Sequence, residues 1–241
     1  MMPVDILLTL VLTTLIQSLF GVGILLFGTP ILLLLGYEFS FALTVLLPIS
    51  ISVNLLQIIK HYQYIDLKIY KNTLCYSIPF IVLFLVIITN IKINISLLVG
   101  FFLILVAAKN FFPTLDKKLS SLIQYERSYL AITGIIHGVS NLGGSLLTAL
   151  VHKQELPKHN ARVTVALCYA SFAVIQLITL FFIGFDSGLS YSTQMTLLQI
   201  SIVVFLLTEE LVYKQIDNTK YTQIFALFLA LSGGLLLFKA F

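Results

Sequence analysis

Apolar residues in this chain run in long blocks separated by short polar seams. Stretches free of Asp, Glu, Lys and Arg cover 6–37, 39–59, 72–91, 93–108, 128–151, 163–185, 187–208 and 221–238. Most are long enough to predict helices that span a bilayer, eight by simple count. Two of the blocks are interrupted. From Ile6 to Tyr37 there are 32 residues without a charged side chain or a histidine. As one helix they would reach about 48 Å, against a hydrocarbon core about 30 Å thick. Gly21 and Gly23 break this block, and Asn141, Gly143 and Gly144 break the 128–151 block 120 positions later. The first block must therefore tilt strongly, leave the membrane or fold back on itself at the glycines. Recurrent broken helices are the best sequence pointer to a transporter binding site.

The positions 120 apart extend beyond the glycines: Leu26 falls on Leu146, Thr44 on Thr164 and Val45 on Val165. The long polar segment from Pro113 to Arg127 divides the chain near its middle. Residues 1–115 therefore read as a first membrane repeat, 116–127 as a polar linker and 128–241 as a second repeat. Basic residues refine the topology. If every block crosses the membrane, the 14 Lys and Arg divide almost evenly between its sides. If the 128–151 block enters and leaves on one side, twelve lie together and two opposite, as the positive-inside rule prefers. Repeat symmetry extends the re-entrant path to the first block. The expected fold is an all-α polytopic membrane protein. Its two inverted repeats each comprise a broken or re-entrant glycine-rich helical hairpin followed by three transmembrane helices.

Composition agrees: 59% of the 241 residues are hydrophobic, 10% are charged, and the mean hydropathy is +1.05. A soluble surface needs far more charge. The first block lacks a basic flank and a small-residue cleavage pattern, so it is expected to stay in the mature protein. The net charge of +4 is scattered over short loops and does not point to nucleic acid. Cys75 and Cys168 lie in apolar blocks and are expected to be small buried hydrophobes.

The candidate chemistry gathers at the two breaks. Glycine at 21, 23, 143 and 144 permits positive φ and a tight reversal. A helix restarting near Ile24 and another near Ser145 would present free N–H groups and positive dipole ends to an anion. The competing reading gives these glycines only a role in close helix packing. Thr44, Asn54, Gln57, Asn141 and Thr164 are the polar side chains placed to line such a site, and buried amides in hydrocarbon are expected to face inward. They either touch substrate or link helices. His137, four residues before the second break, is a candidate for proton coupling, with a buried neutral ring as the alternative. Arg162 is a candidate anion entrance, or else an ordinary positive-inside anchor. Acidic residues fall in loops and at span ends, notably Glu209 and Glu210, which argues against a metal-cation carrier. No acid–base pair, metal-spaced Cys/His cluster or activated nucleophile is legible, so neither an enzyme nor a cofactor is expected.

At the breaks the sequence resembles a known family. The run from Gln17 to Pro30, with Phe20-Gly21-Val22-Gly23 at its centre, is similar to the first glycine-rich motif of the sulfite exporter TauE/SafE family. Gly134 to Ser145 is similar to its second copy. Ile24 stands where the first motif usually has a further glycine, while Asn141 and Leu150 stand where the second often has Gly and Pro. The resemblance implies a cell-membrane transporter of sulfite, sulfonates or related small organic or sulfur anions. The residues lead to the same class: a secondary transporter working by alternating access, with a small anion and the lipid bilayer as partners. A homodimer remains among the candidates for its oligomeric state. The alternative is a non-transporting membrane subunit that scaffolds a partner complex, which would be expected to carry longer charged loops.

Overall fold

The computed structural model describes residues 3–20, 23–91, 94–112, 114, 117, 121–212 and 218–240. Among them ten α-helices follow one another: α1 (Val4–Phe20), α2 (Ile24–Leu35), α3 (Phe39–His61), α4 (Leu67–Asn90), α5 (Ile95–Phe111), α6 (Glu126–Ser140), α7 (Gly143–Lys153), α8 (Lys158–Ile183), α9 (Tyr191–Val212) and α10 (Asn218–Ala240). Both anticipated breaks interrupt their helices, between α1 and α2 and between α6 and α7. Elsewhere the helices stop where the turn chemistry predicts. Gly36, at φ 98°, and Gly184, at φ 78°, close α2 and α8 in the left-handed conformation. The Asp66 carboxylate caps α4 by accepting from the N–H groups of Lys68 and Ile69.

Among the described residues, four segments are long and apolar enough to cross a membrane: Phe39–Tyr64, Leu67–Asn90, His159–Ile183 and Tyr191–Glu209. Shorter apolar helices accompany them at Val4–Ser18, Ile24–Leu35, Ile95–Ala108 and Leu229–Ala240. Burial follows the logic of a membrane protein. Phe181, Phe182 and Phe238 are exposed, whereas Thr13, Gln17, Asn54, Gln57, His137 and Gln176 are enclosed. Apolar atoms outside need lipid, and polar atoms inside need one another. Cys168 is buried as expected, but Cys75 is exposed on the outer surface of α4. An apolar block in lipid does not make each of its residues interior.

α5 packs along α10, α4 along α6 and α3 along α8; α1 lies against α9, α8 against α4 and α9 against α3. Glycine permits two of these close approaches. A Cβ on Gly138 of α6 would stand 2.7 Å from the Ile81 carbonyl oxygen of α4. A Cβ on Gly100 of α5 would stand 3.1 Å from the Gly233 oxygen, and one on Gly233 of α10 would stand 2.9 Å from the Gly100 oxygen.

Polar contacts identify the two ends of the bundle. At one end the Asp66 N–H donates to Thr164 Oγ1 at 2.9 Å, and Asn72 Nδ2 donates to Glu126 Oε1 at 2.8 Å. The rings of His61 and His159 lie there 5.4 Å apart. At the other end Tyr37 Oη donates to Asp5 Oδ2 at 2.6 Å, and Lys239 Nζ donates to the Leu34 carbonyl at 3.0 Å.

Candidate functional site: the two helix breaks

The chain turns back at each break against the helix it has just left. A Cβ on Gly23 would stand 2.6 Å from the Gln17 nitrogen and 2.9 Å from the Thr13 oxygen. A Cβ on Gly143 would stand 2.5 Å from the Thr133 oxygen and 3.0 Å from the His137 nitrogen. Thr13 and Thr133, Gln17 and His137, and Gly23 and Gly143 are all 120 apart. Even the threonine hydroxyls match: Thr13 Oγ1 donates to the Thr9 carbonyl at 2.8 Å, and Thr133 Oγ1 to the Tyr129 carbonyl at 2.9 Å.

Gly23, Gly143 and Gly144 serve close approach, not positive φ. Gly23 has an extended φ of −175°, while the left-handed residue at the second break is Asn141, at φ 64°. Asparagine is among the few side chains that adopt this conformation readily. Asn141 therefore closes α6 as a glycine would, its N–H donating to the His137 carbonyl at 2.8 Å. The next helix starts at Gly143, two residues before the expected Ser145, because the Ser145 N–H already turns back to the Leu142 carbonyl at 3.2 Å. Ser145 Oγ likewise donates to that carbonyl, at 2.9 Å. A Cβ on Gly144 would coincide with the hydroxyl of Tyr169 from α8. Gly21 lies outside the described residues.

Each break is tied to the long helix that follows its hairpin. In the first half Gln17 Oε1 accepts the N–H of Ile24 at 3.1 Å, and Gln17 Nε2 donates to Asn54 Oδ1 at 3.0 Å. Asn54 Nδ2 then donates to Ser50 Oγ at 3.1 Å. In the second half His137 Nε2 lies 3.2 Å from Gln176 Oε1, and its ring packs 4.9 Å from that of Phe172. The amide oxygen selects the Nε2–H tautomer and leaves Nδ1 as a buried acceptor without a hydrogen bond. The halves also touch directly: Asn141 Nδ2 donates to Thr29 Oγ1 of α2 at 2.9 Å, leaving its Oδ1 without a partner. Gln57 is buried and neither its amide oxygen nor its nitrogen makes a hydrogen bond.

Thr44 and Thr164 play different structural parts although they are 120 apart. Thr164 receives the Asp66 N–H, whereas Thr44 Oγ1 bonds the Phe41 carbonyl at 2.9 Å. Thr44 also borders a cavity of about 20 Å³, with Val45, Pro48, Ile49, Leu189, Gln194 and Leu197.

Arg162 reaches the first break. Its Nη2 donates to the Ser18 carbonyl at 3.3 Å and lies 3.4 Å from Glu209 Oε1. Glu209 closes the apolar span Tyr191–Glu209 as expected, but it is buried, against the expectation that the acids stay outside the protein interior. Lys60 Nζ completes the cluster, 3.7 Å from Glu209 Oε2. Gln17 was legible as the partner of His137 at a shift of 120. No local pattern could have found Glu209, whose partners are 149 and 47 positions away in sequence.

A family model described as Sulfite exporter TauE/SafE matches residues 6–236, nearly the whole chain. No curated protein and no solved structure matches.

Proposed function

This chain belongs to the sulfite exporter TauE/SafE family, and from that membership we propose that it carries a small oxyanion or organic anion, of the sulfite and sulfonate kind, across the cell membrane by alternating access. The observation that carries the proposal is the meeting of the two interrupted helices at the Asn141–Thr29 hydrogen bond. Broken backbone at membrane depth is tolerated where protein or a watery pathway surrounds it. The starts of α2 and α7 would turn their positive dipole ends toward an anion. The buried amides of Gln57 and Gln176 supply N–H donors without a present partner. Asn54 positions the first break through Gln17. Gly23, Ile24, Gly143, Gly144 and Ser145 form the backbone of the site, with Asn141 at its second turn. Thr44 and Thr164 belong to its supporting helices.

The same reading makes the halves inverted repeats. Exchanging α1–α5 with α6–α10 turns the α1–α9 contact into α6–α4, and α3–α9 into α8–α4. The α3–α8 and α5–α10 contacts map onto themselves, and these pairings support the exchange. Three single helices after each hairpin reverse the direction of the second half. The contacts among 60–72, 126 and 158–164 support placing the twelve-residue basic group on one side of the membrane, cytoplasmic by the positive-inside rule. Rocking one repeat against the other would then expose the site alternately.

Uptake of radiolabelled sulfite and of methanesulfonate by proteoliposomes tests the function. Saturable uptake above that of empty liposomes is expected for at least one of them. Its absence across a panel of small oxyanions and carboxylates, with an active control carrier, would remove the proposal.

A further inference from the structure

Resting on the transporter reading, we propose that Glu209 is its proton-coupling carboxylate: capture of a small anion by Arg162 at the first break is linked to uptake of one proton by Glu209. Both side chains are almost wholly enclosed, at 8% exposure for Arg162 and 7% for Glu209. They come from different long helices, α8 and α9, and Arg162 also holds the Ser18 carbonyl at the end of α1. The guanidinium therefore stands where the first hairpin, α8 and α9 meet. Glu209 acts there as an internal anion.

The pair is made to be opened. Its nitrogen–oxygen separation is 3.4 Å, and Glu209 Oε1 accepts no hydrogen bond. Tight carboxylate–guanidinium bonds are about 2.7–2.9 Å long. A second acceptor can thus compete for the same cation. Gln57 lies on α3 one turn before Lys60, with its buried amide unbonded, and offers an incoming oxyanion a further donor.

Charge supplies the coupling. Arg162 and Glu209 together are neutral. A monoanion entering beside Arg162 leaves two negative charges around one enclosed cation, an arrangement that burial strongly disfavours. A proton added to Glu209 restores neutrality and loosens the Arg162–Glu209 contact in favour of the substrate, while Arg162 keeps its hold on the Ser18 carbonyl. Among the described residues, the other charged and titratable groups at this place are Lys60 and His61 of α3 and His159 of α8. Lys60 is 45% exposed, so water screens most of its charge. The two histidines are the competing proton acceptors, with His137 at the second break as a third.

The test is anion binding to purified full-length protein as a function of pH. Methanesulfonate keeps a constant charge through the range, so any slope belongs to the protein. Wild-type affinity should fall by up to about tenfold per pH unit on the alkaline side of the linked titration. Glu209→Gln should flatten that dependence, whereas His61→Gln, His159→Gln and His137→Gln should retain it. Sulfite is measured in parallel, the Glu209→Gln curve supplying its own ionisation. A second measurement needs no variant. Binding heats in buffers of different ionisation enthalpy should give one proton taken up per methanesulfonate bound by the wild-type protein, or by the same excess over the anion's own uptake with sulfite. No net uptake by the protein, a pH slope that survives Glu209→Gln, or a slope abolished by a histidine variant would overturn the inference while leaving transport intact. Absence of both binding and transport for every anion would instead overturn the function on which it rests.

Discussion

Tyr37 shows how a single hydrogen bond can close the base of a hairpin. Its hydroxyl donates to Asp5 across the open ends of α1 and α2, and the neighbouring carboxylate pushes the phenol up from 10 to about 12. Because the folded-state pKa is raised, the bond's contribution is complete below pH 10 and is lost as pH rises through about 12. Tyr37→Phe should lower stability by about 1 kcal/mol at pH 8, since the site is partly open to solvent. Thermal unfolding in detergent should show wild type and variant converging between pH 10 and 12. A constant difference would mean that the ring, not the hydroxyl, does the holding. Gln17 carries more. It bridges the Ile24 N–H to Asn54 in a dry setting, so Gln17→Leu strands a donor and an acceptor at about 1–3 kcal/mol each. An unchanged melting temperature would sink that account. His137 fills the matching place, so His137→Gln should keep the fold and most of the uptake. A flattened pH profile for transport in that variant would move the proton role from Glu209 to His137.

At the scale of the helix, the breaks depend on how closely the chain can return. Gly23→Ala and Gly143→Ala each press a methyl group against the backbone of the preceding helix. Neither backbone can move aside as a flexible side chain would, so the following helix must shift. Uptake per folded molecule should fall at least about tenfold, the consequence expected when a site is displaced by about 1 Å. Variants with normal uptake would make these packing glycines only. Asn141→Gly is the complementary case. It keeps the left-handed turn but removes the bond to Thr29, so the protein should fold while uptake declines. Gly138→Val on α6 meets the α4 backbone instead and should cost about 1–3 kcal/mol by overpacking, read as a lower melting temperature. The position of both breaks was legible from glycine and chain length. Their conformation was not, because a close contact with residues six to ten positions earlier exists only after the chain has turned.

For the whole molecule, the decisive property is which loops share a side. In a Cys75→Ser, Cys168→Ala background, cysteines placed at Lys68 and Lys153 should label from the same side of a membrane vesicle. One at Ser190 should label from the opposite side. Lys68 and Lys153 labelling from opposite sides would restore eight simple crossings and remove the inverted arrangement. Cysteines at Thr29 and Asn141 should form a cross-link under mild oxidation if the two halves meet in the membrane as they do in this packing. Failure to cross-link in an otherwise active carrier would separate the breaks.

Helical class, family and interrupted blocks can all be read along the chain, because they depend on local hydropathy, helix length and glycine placement. The separation of 120 also identified Gly23 with Gly143 before any contact was known. What those positions do emerges from the packing of remote helices. That packing joined Gln17 to Asn54, set His137 against Gln176, and put the left-handed turn on Asn141. It also enclosed Glu209 beside Arg162 and the first break. Hydropathy is additive along a chain and can be read from one end to the other. Enclosure of a charge depends on which remote helices surround it, and no local pattern encodes that.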